Sequence, residues 1–253
     1  MQKQSRYYIS FFKLDSKAAR FKKGVSSLLN RANFTRGELA LWFSSLFIIT
    51  AGFFLLGGGG PLILPASLVG VSSLIFSAKG NPVGPLLMVL FSCMYGAISY
   101  RFQYYGEMAT YLGMTAPMSL LALASWLRNP YQGRRSQVKV GRMGKRDVIR
   151  MTVAAIGVTA AFWYILKALG TANLLPSTLS VTTSFLAVYM TYRRSEYYAL
   201  AYGANDIVLV ALWVMAALEE QKYWPVAICF GVFLVNDLYG FISWQRMRKS
   251  QEG

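Results

Sequence analysis

Apolar residues fall along this chain in long blocks separated by short polar connectors. Eight such blocks run over 38–56, 61–78, 83–101, 105–127, 148–168, 177–192, 197–218 and 223–244. At ~1.5 Å of helical rise per residue they are of the length needed to cross a hydrocarbon core of ~30 Å, with 61–78 and 177–192 the short ones. The pattern predicts an all-α integral membrane protein with eight transmembrane helices.

Charge gives those helices a direction. With the N-terminus inside, the cytoplasmic side collects nine Lys/Arg from the leading tail (Lys3 to Arg36), Lys79, and eight from the long connector (Arg128, Arg134, Arg135, Lys139, Arg142, Lys145, Arg146, Arg150). It also collects Arg193, Arg194, Arg246, Arg248 and Lys249, which makes 23 of the 26 basic residues. Only Arg101, Lys167 and Lys222 are left for the outside. Such asymmetry in short loops predicts an N-in, C-in topology with an even number of spans. The tail mixes Tyr7, Tyr8, Phe11, Phe12, Phe21 and Leu28 with its basic residues. It has no apolar core or small-residue cleavage site, so it reads as an amphipathic helix in the inner interface, not as a signal peptide.

The pattern also repeats. Residues 105–127 lie over 223–245 without a gap at an offset of 118, matching Tyr105/Tyr223, Ala109/Ala227, Gly113/Gly231, Leu120/Leu238, Ser125/Ser243, Trp126/Trp244 and Arg128/Arg246. Upstream, 67–73 (SLVGVSS) echoes 177–183 (STLSVTT). Two parallel three-helix units joined by a linker helix (3+1+3) are therefore expected, with an extra first helix. The division is 1–36 basic amphipathic tail, 37–60 extra helix, 61–128 first repeat, 129–170 basic loop and linker helix, 171–247 second repeat, 248–253 cytoplasmic tail. Parallel repeats of this kind place a substrate near mid-membrane between the copies.

Composition removes other classes of function. A chain that is 55% hydrophobic and 14% charged does not suit a soluble core of this size. Its net charge of +16 fits loops against anionic headgroups better than nucleic acid, for which no soluble basic domain is present. With no histidine, His-based metal sites and a Ser-His-Asp triad are excluded. Cys93 and Cys229 stand alone inside apolar segments, and no GxxxxGK[ST] motif occurs; Gly57–Gly60 reads as a turn. No cofactor, metal or catalytic role is expected. Asp206 and Asp237 lack the Gly-x-Gly-Asp setting of an intramembrane aspartyl enzyme. A membrane receptor or scaffold is the other class this pattern allows.

Polar residues at depth are costly in hydrocarbon and mark function. Asn205-Asp206 lies about 12 Å from the start of its segment at helical rise, and Asn236-Asp237 a similar distance from the cytoplasmic end of the last one. Tyr198, Tyr202 and Asn205 share one helical face; Asn236, Tyr239 and Ser243 share another. Aromatic rings beside amides suit a flat heteroaromatic with hydroxyls. Substrate contact is expected at Asn205 and Asn236, with Asp206 and Asp237 as structural partners or Arg-facing anchors. Glu107, next to Arg101, Tyr104 and Tyr105, reads as a local partner of Arg101 or as an outer-mouth substrate contact.

Over about 61–247 the chain resembles the PnuC-type nicotinamide riboside transporters. The resemblance rests on Ala78-Lys79-Gly80, Tyr105-Gly-Glu-Met108, Pro117-Met118, Arg194-x-Glu196 and the closing Asn236-Asp-Leu-Tyr-Gly-Phe-Ile-Ser-Trp244. It implies a SWEET-like vitamin transporter, assembled as a homotrimer in the cell membrane and working by facilitated diffusion. The vitamin would be trapped by a cytoplasmic kinase, with no coupling ion or ATP. The resemblance carries over Asn205 and Asn236; with the residues read from the helix faces, the expected substrate-binding set is Asn205, Asn236, Tyr198, Tyr202, Tyr239, Ser119 and Glu107. The family commonly has tryptophans where this chain has Tyr198, Ala201 and Tyr202, and Gln where it has Ser119. Those departures leave nicotinamide riboside, thiamine and riboflavin open as the vitamin.

Overall fold

The computed structural model describes residues 34–253 apart from 58–59, 103 and 172, so the expected amphipathic tail over 1–36 lies almost wholly outside the described residues. The apolar segments become helices α1 (Arg36–Leu55), α2 (Ile63–Ala78), α3 (Val83–Arg101), α4 (Tyr105–Arg128), α5 (Lys145–Ala168), α6 (Leu174–Tyr192), α7 (Tyr198–Glu219) and α8 (Trp224–Glu252). Among the described residues, seven helical stretches are long and apolar enough to cross a membrane; α2, with 16 residues, is shorter. The segment expected over 177–192 starts earlier, because Leu174, Leu175 and Pro176 are compatible with a first helical turn. Helix α8 runs on through its basic end to Glu252, where Arg248 pairs with Glu252 one turn along.

Local sequence explains the boundaries. At the start of α1, Thr35 Oγ1 accepts from the Glu38 amide (3.2 Å) while Glu38 Oε2 accepts from the Thr35 amide (2.6 Å), a reciprocal cap that satisfies two orphan donors. Helix α4 is not uniform: residues Tyr111–Thr115 form one π turn, in which the Ala116 amide reaches back to the Tyr111 carbonyl. Pro117 supplies no amide to the turn before it, so the backbone there cannot keep the regular i→i−4 ladder.

The basic connector contains an element its polar sequence did not announce. Strands β1 (Pro130–Tyr131) and β2 (Arg134–Val138) pair antiparallel across Gln132-Gly133, both at positive φ. Val138, fully buried, donates its amide to the Gly80 carbonyl (2.9 Å), so the hairpin is pinned under the end of α2. Arg142 bonds Glu252, Arg248 pairs with Glu196, and Gln251 accepts from the Val140 amide. The connector, the α6–α7 turn and the tail of α8 therefore gather at one end of the molecule.

At that end two sets of contacts mirror each other. Trp126 Nε1 donates to the Thr191 carbonyl (2.9 Å) and Ser125 Oγ to that of Tyr192 (2.9 Å). Trp244 Nε1 donates to the Ser77 carbonyl (2.8 Å) and Ser243 Oγ to that of Ala78 (2.8 Å). Lys79 pairs with Glu38 of α1 at 2.7 Å, and Arg193 with Asp147 of α5 at 2.7 Å. Gly80 (φ 65°) and Arg194 (φ 60°) both close their helices in the left-handed region.

The main core lies between α2, α3, α7 and α8, around Phe91, Tyr95, Trp213, Phe230 and Phe233. Gly70 lets Phe233 in: a Cβ there would meet its ring at 2.3 Å. Helix α5 stays at the periphery, with Val148, Ile149, Val153, Ile156 and Tyr164 exposed, the apolar exterior a bilayer would cover.

Candidate functional site

Two small cavities adjoin each other within the helix bundle. The first, of about 10 Å³, is bordered by Ser77, Ser119, Thr191, Tyr198 and Tyr202. The second, of about 20 Å³, is bordered by Phe91, Tyr111, Thr115, Ser184, Tyr202, Asn205, Asp206 and Asp237. Leu74, Met88 and Tyr202 line both and separate them. Of the expected residues, Ser119, Tyr198, Tyr202 and Asn205 thus border these two adjoining cavities. Their volumes hold little more than a water each, far below the ~300 Å³ at the lower end of small-molecule pockets. The cleft is closed in this conformation.

Asn205 is buried, and its amide is oriented by α6: Thr183 Oγ1 (2.8 Å) and Ser184 Oγ (3.0 Å) both donate to Oδ1. That commits the amide oxygen to the protein and leaves the NH₂ as the group not engaged by α6. The signal for this support was present in the Ser/Thr-rich stretch 177–184, whose hydroxyls do more than satisfy their own helix.

Of the two readings for the neighbouring carboxyls, the Arg-facing anchor does not form. Asp206 of α7 and Asp237 of α8, each 3% exposed, both lie on the wall of the second cavity. Asp206 Oδ2 has no hydrogen-bond partner among the described residues. Neither carboxyl is anchored to an arginine; the ion pairs of the described residues lie elsewhere. Helical phase explains the outcome, because each Asp follows its Asn by one residue, a turn of 100° around the helix.

Three expected residues lie off the cavity walls. Asn236 points to α1, where its Nδ2 donates to Ser45 Oγ (2.9 Å) and to the Val232 carbonyl (2.8 Å). Tyr239 donates to Glu38 Oε1 (3.0 Å) beside Lys79, at the basic end. Glu107 is buried near the Tyr95 and Tyr111 hydroxyls, with Oε2 unpartnered among the described residues. The pairing with Arg101 does not form, because Arg101 is exposed while Glu107 turns into the bundle. No cluster of three or more metal-ligating side chains occurs among the described residues.

Two glycines of these helices have different surroundings. A Cβ on Gly113, inside the π turn, would meet nothing within 4 Å. One on Gly240 would meet the Ala199 Cβ at 3.3 Å, so Gly240 serves the close packing of α7 on α8.

The family model described as nicotinamide mononucleotide transporter matches residues 61–246. A curated relative, the nicotinamide riboside transporter PnuC of Neisseria mucosa, is 26% identical over 219 residues, covering 85% of this chain and 83% of the relative. The protein of the same name from Haemophilus influenzae is 20% identical over 190 residues, covering 74% and 80%. A solved structure, the crystal structure of the vitamin B3 transporter PnuC, superposes with a TM-score of 0.77 at 22% identity, covering 89% of this chain and 97% of that one. The fold is therefore shared, and the chain is a multi-pass membrane protein. With nearly three quarters of its length inside the family model, it belongs to the nicotinamide mononucleotide transporter family.

Proposed function

We propose that this chain takes up nicotinamide riboside across the cell membrane by facilitated diffusion, with the substrate held between the two repeats and phosphorylated by a cytoplasmic kinase after release. The observation that carries this reading is the occluded cleft: an oriented amide (Asn205), tyrosine rings and hydroxyls together, deep in the bundle. The ring would stack against Tyr202 and Tyr198, and Asn205 and Ser119 would hold polar groups. Asn236, Tyr239 and Glu107 reach the substrate in this reading only if the bundle rearranges on opening.

The family description names a mononucleotide and the relatives' names a riboside. The two differ by a phosphate, and the residues lining the cleft support one of them. A phosphate needs cationic or multiple amide donors, yet no Lys or Arg borders either cavity, and two Asp carboxyls would face the anion. The chemistry of this lining favours the riboside over the mononucleotide.

The 3+1+3 reading with N and C termini inside is supported by the mirrored Trp-to-carbonyl bonds and by the collection of basic loops at one end. The matching pairs Glu38–Lys79 and Asp147–Arg193 extend it: α1 stands to α2 as α5 stands to α6. The chain then reads as two four-helix units, with α1 no longer an addition. Opening would rock one unit against the other around the π turn of α4. Trimer formation is carried by the family resemblance alone and is tested by native mass spectrometry in detergent.

Thermal stabilisation of the purified protein by a panel of ligands tests the assignment, since a ligand that binds only the folded state raises Tm with concentration. Nicotinamide riboside is expected to stabilise and nicotinamide mononucleotide, thiamine and riboflavin not to. Stabilisation by another vitamin alone would reassign the substrate.

A further inference from the structure

We propose that Asp206 and Asp237 form a subsite for an organic cation, which receives the positively charged ring of the substrate. The inference rests on the reading that the cleft is the substrate site, and goes beyond it by saying what fixes the charge of the cargo.

Ionisable groups in hydrocarbon are expensive, and two of the buried carboxylates among the described residues have a cation (Glu38 with Lys79, Glu196 with Arg248), while Glu107, near the outer end of α4, has none. Asp206 and Asp237 have none, and they border the cavity that Asn205 also lines. The titratable groups facing them are Tyr111 from α4, Tyr198 and Tyr202 from α7, and Cys229 from α8; none of these is basic. A cation entering that cavity would be the first positive group to border these two carboxyls.

Its chemistry follows from the walls. An inorganic cation such as calcium or magnesium wants about six oxygen ligands. Here the two carboxyls and the Asn205 amide are set among Phe91, Tyr111, Tyr202 and Phe233, whose ring faces attract a flat, delocalised cation. Asp206 and Asp237 both border this cavity, so a cationic ring entering it would meet two carboxyls at once. Asp206 Oδ2, buried and unpartnered, is the atom available to it.

Oxidised nicotinamide riboside carries the pyridinium charge; dihydronicotinamide riboside has nearly the same size and hydroxyls but a neutral ring. Binding of both to the detergent-purified protein by calorimetry is the test, on the wild type and on Asp206→Asn and Asp237→Asn. The wild type is expected to prefer the cation by about tenfold or more, in line with the coupling of a desolvated charge pair. Each Asn variant that folds is expected to lose about tenfold in affinity for the cation and little for the neutral analogue, so that the preference collapses. A wild-type preference below about threefold, or a preference that survives in either variant, overturns the subsite. The wild-type comparison needs no variant to fold. A wild type that binds neither riboside overturns the proposed substrate instead, so the two failures are distinct.

Discussion

Asn205 and Asn236 look alike in the sequence, at similar depth and each followed by Asp, yet they do different work. The first is held through its oxygen by Thr183 and Ser184 beside the cavity; the second ties α8 to Ser45 of α1. Asn205→Ala removes one or two hydrogen bonds worth ~1 kcal/mol each and is expected to raise the Kd for nicotinamide riboside several-fold. Asn236→Ala is expected to lower Tm while leaving that Kd within about twofold, because it breaks a helix contact away from the cavity. Calorimetry and thermal melts on the two variants separate the roles, and equal affinity losses would contradict the distinction. Depth was legible from residue counting. Facing was not, because a one-residue step turns a side chain by 100° and only packing selects which neighbour looks inward.

Among the elements, the helices were largely legible because each is a long apolar run bounded by charge, glycine or proline. The β1–β2 hairpin was not. Its strand residues Arg134, Arg135, Ser136 and Gln137 carry no alternating apolar pattern, and its place is set by a tertiary bond from Val138 to Gly80. The ion pairs linking α1 to α2 and α5 to α6 were hidden for the same reason, since their members lie 41 and 46 residues apart. The Lys79–Glu38 pair is the more buried, with side chains 17% and 6% exposed, against 35% and 18% for Arg193–Asp147. Lys79→Ala strands a buried carboxylate and is expected to cost on the order of 3 kcal/mol, and Arg193→Ala clearly less. Melting temperatures of the two variants check the order; a larger loss for Arg193→Ala would contradict the burial argument.

At the scale of the whole molecule, class was readable from charge and hydropathy, whereas the cleft's contents needed the fold that brings α4, α6, α7 and α8 together. In a variant with Cys93 and Cys229 replaced, a single cysteine at Ser136 is expected to be labelled by an impermeant maleimide only from the cytoplasmic side, and one at Gln221 only from the outside. The reverse pattern would invert the proposed topology. The central claim is that this chain moves an unaltered riboside without spending energy. Counterflow in liposomes tests it most directly: vesicles holding the purified protein and unlabelled nicotinamide riboside are diluted into traces of the labelled compound. Transient accumulation of unmodified label, with no imposed ion gradient or ATP, is the result expected. Label that does not enter, or enters only with an ion gradient, would contradict the account.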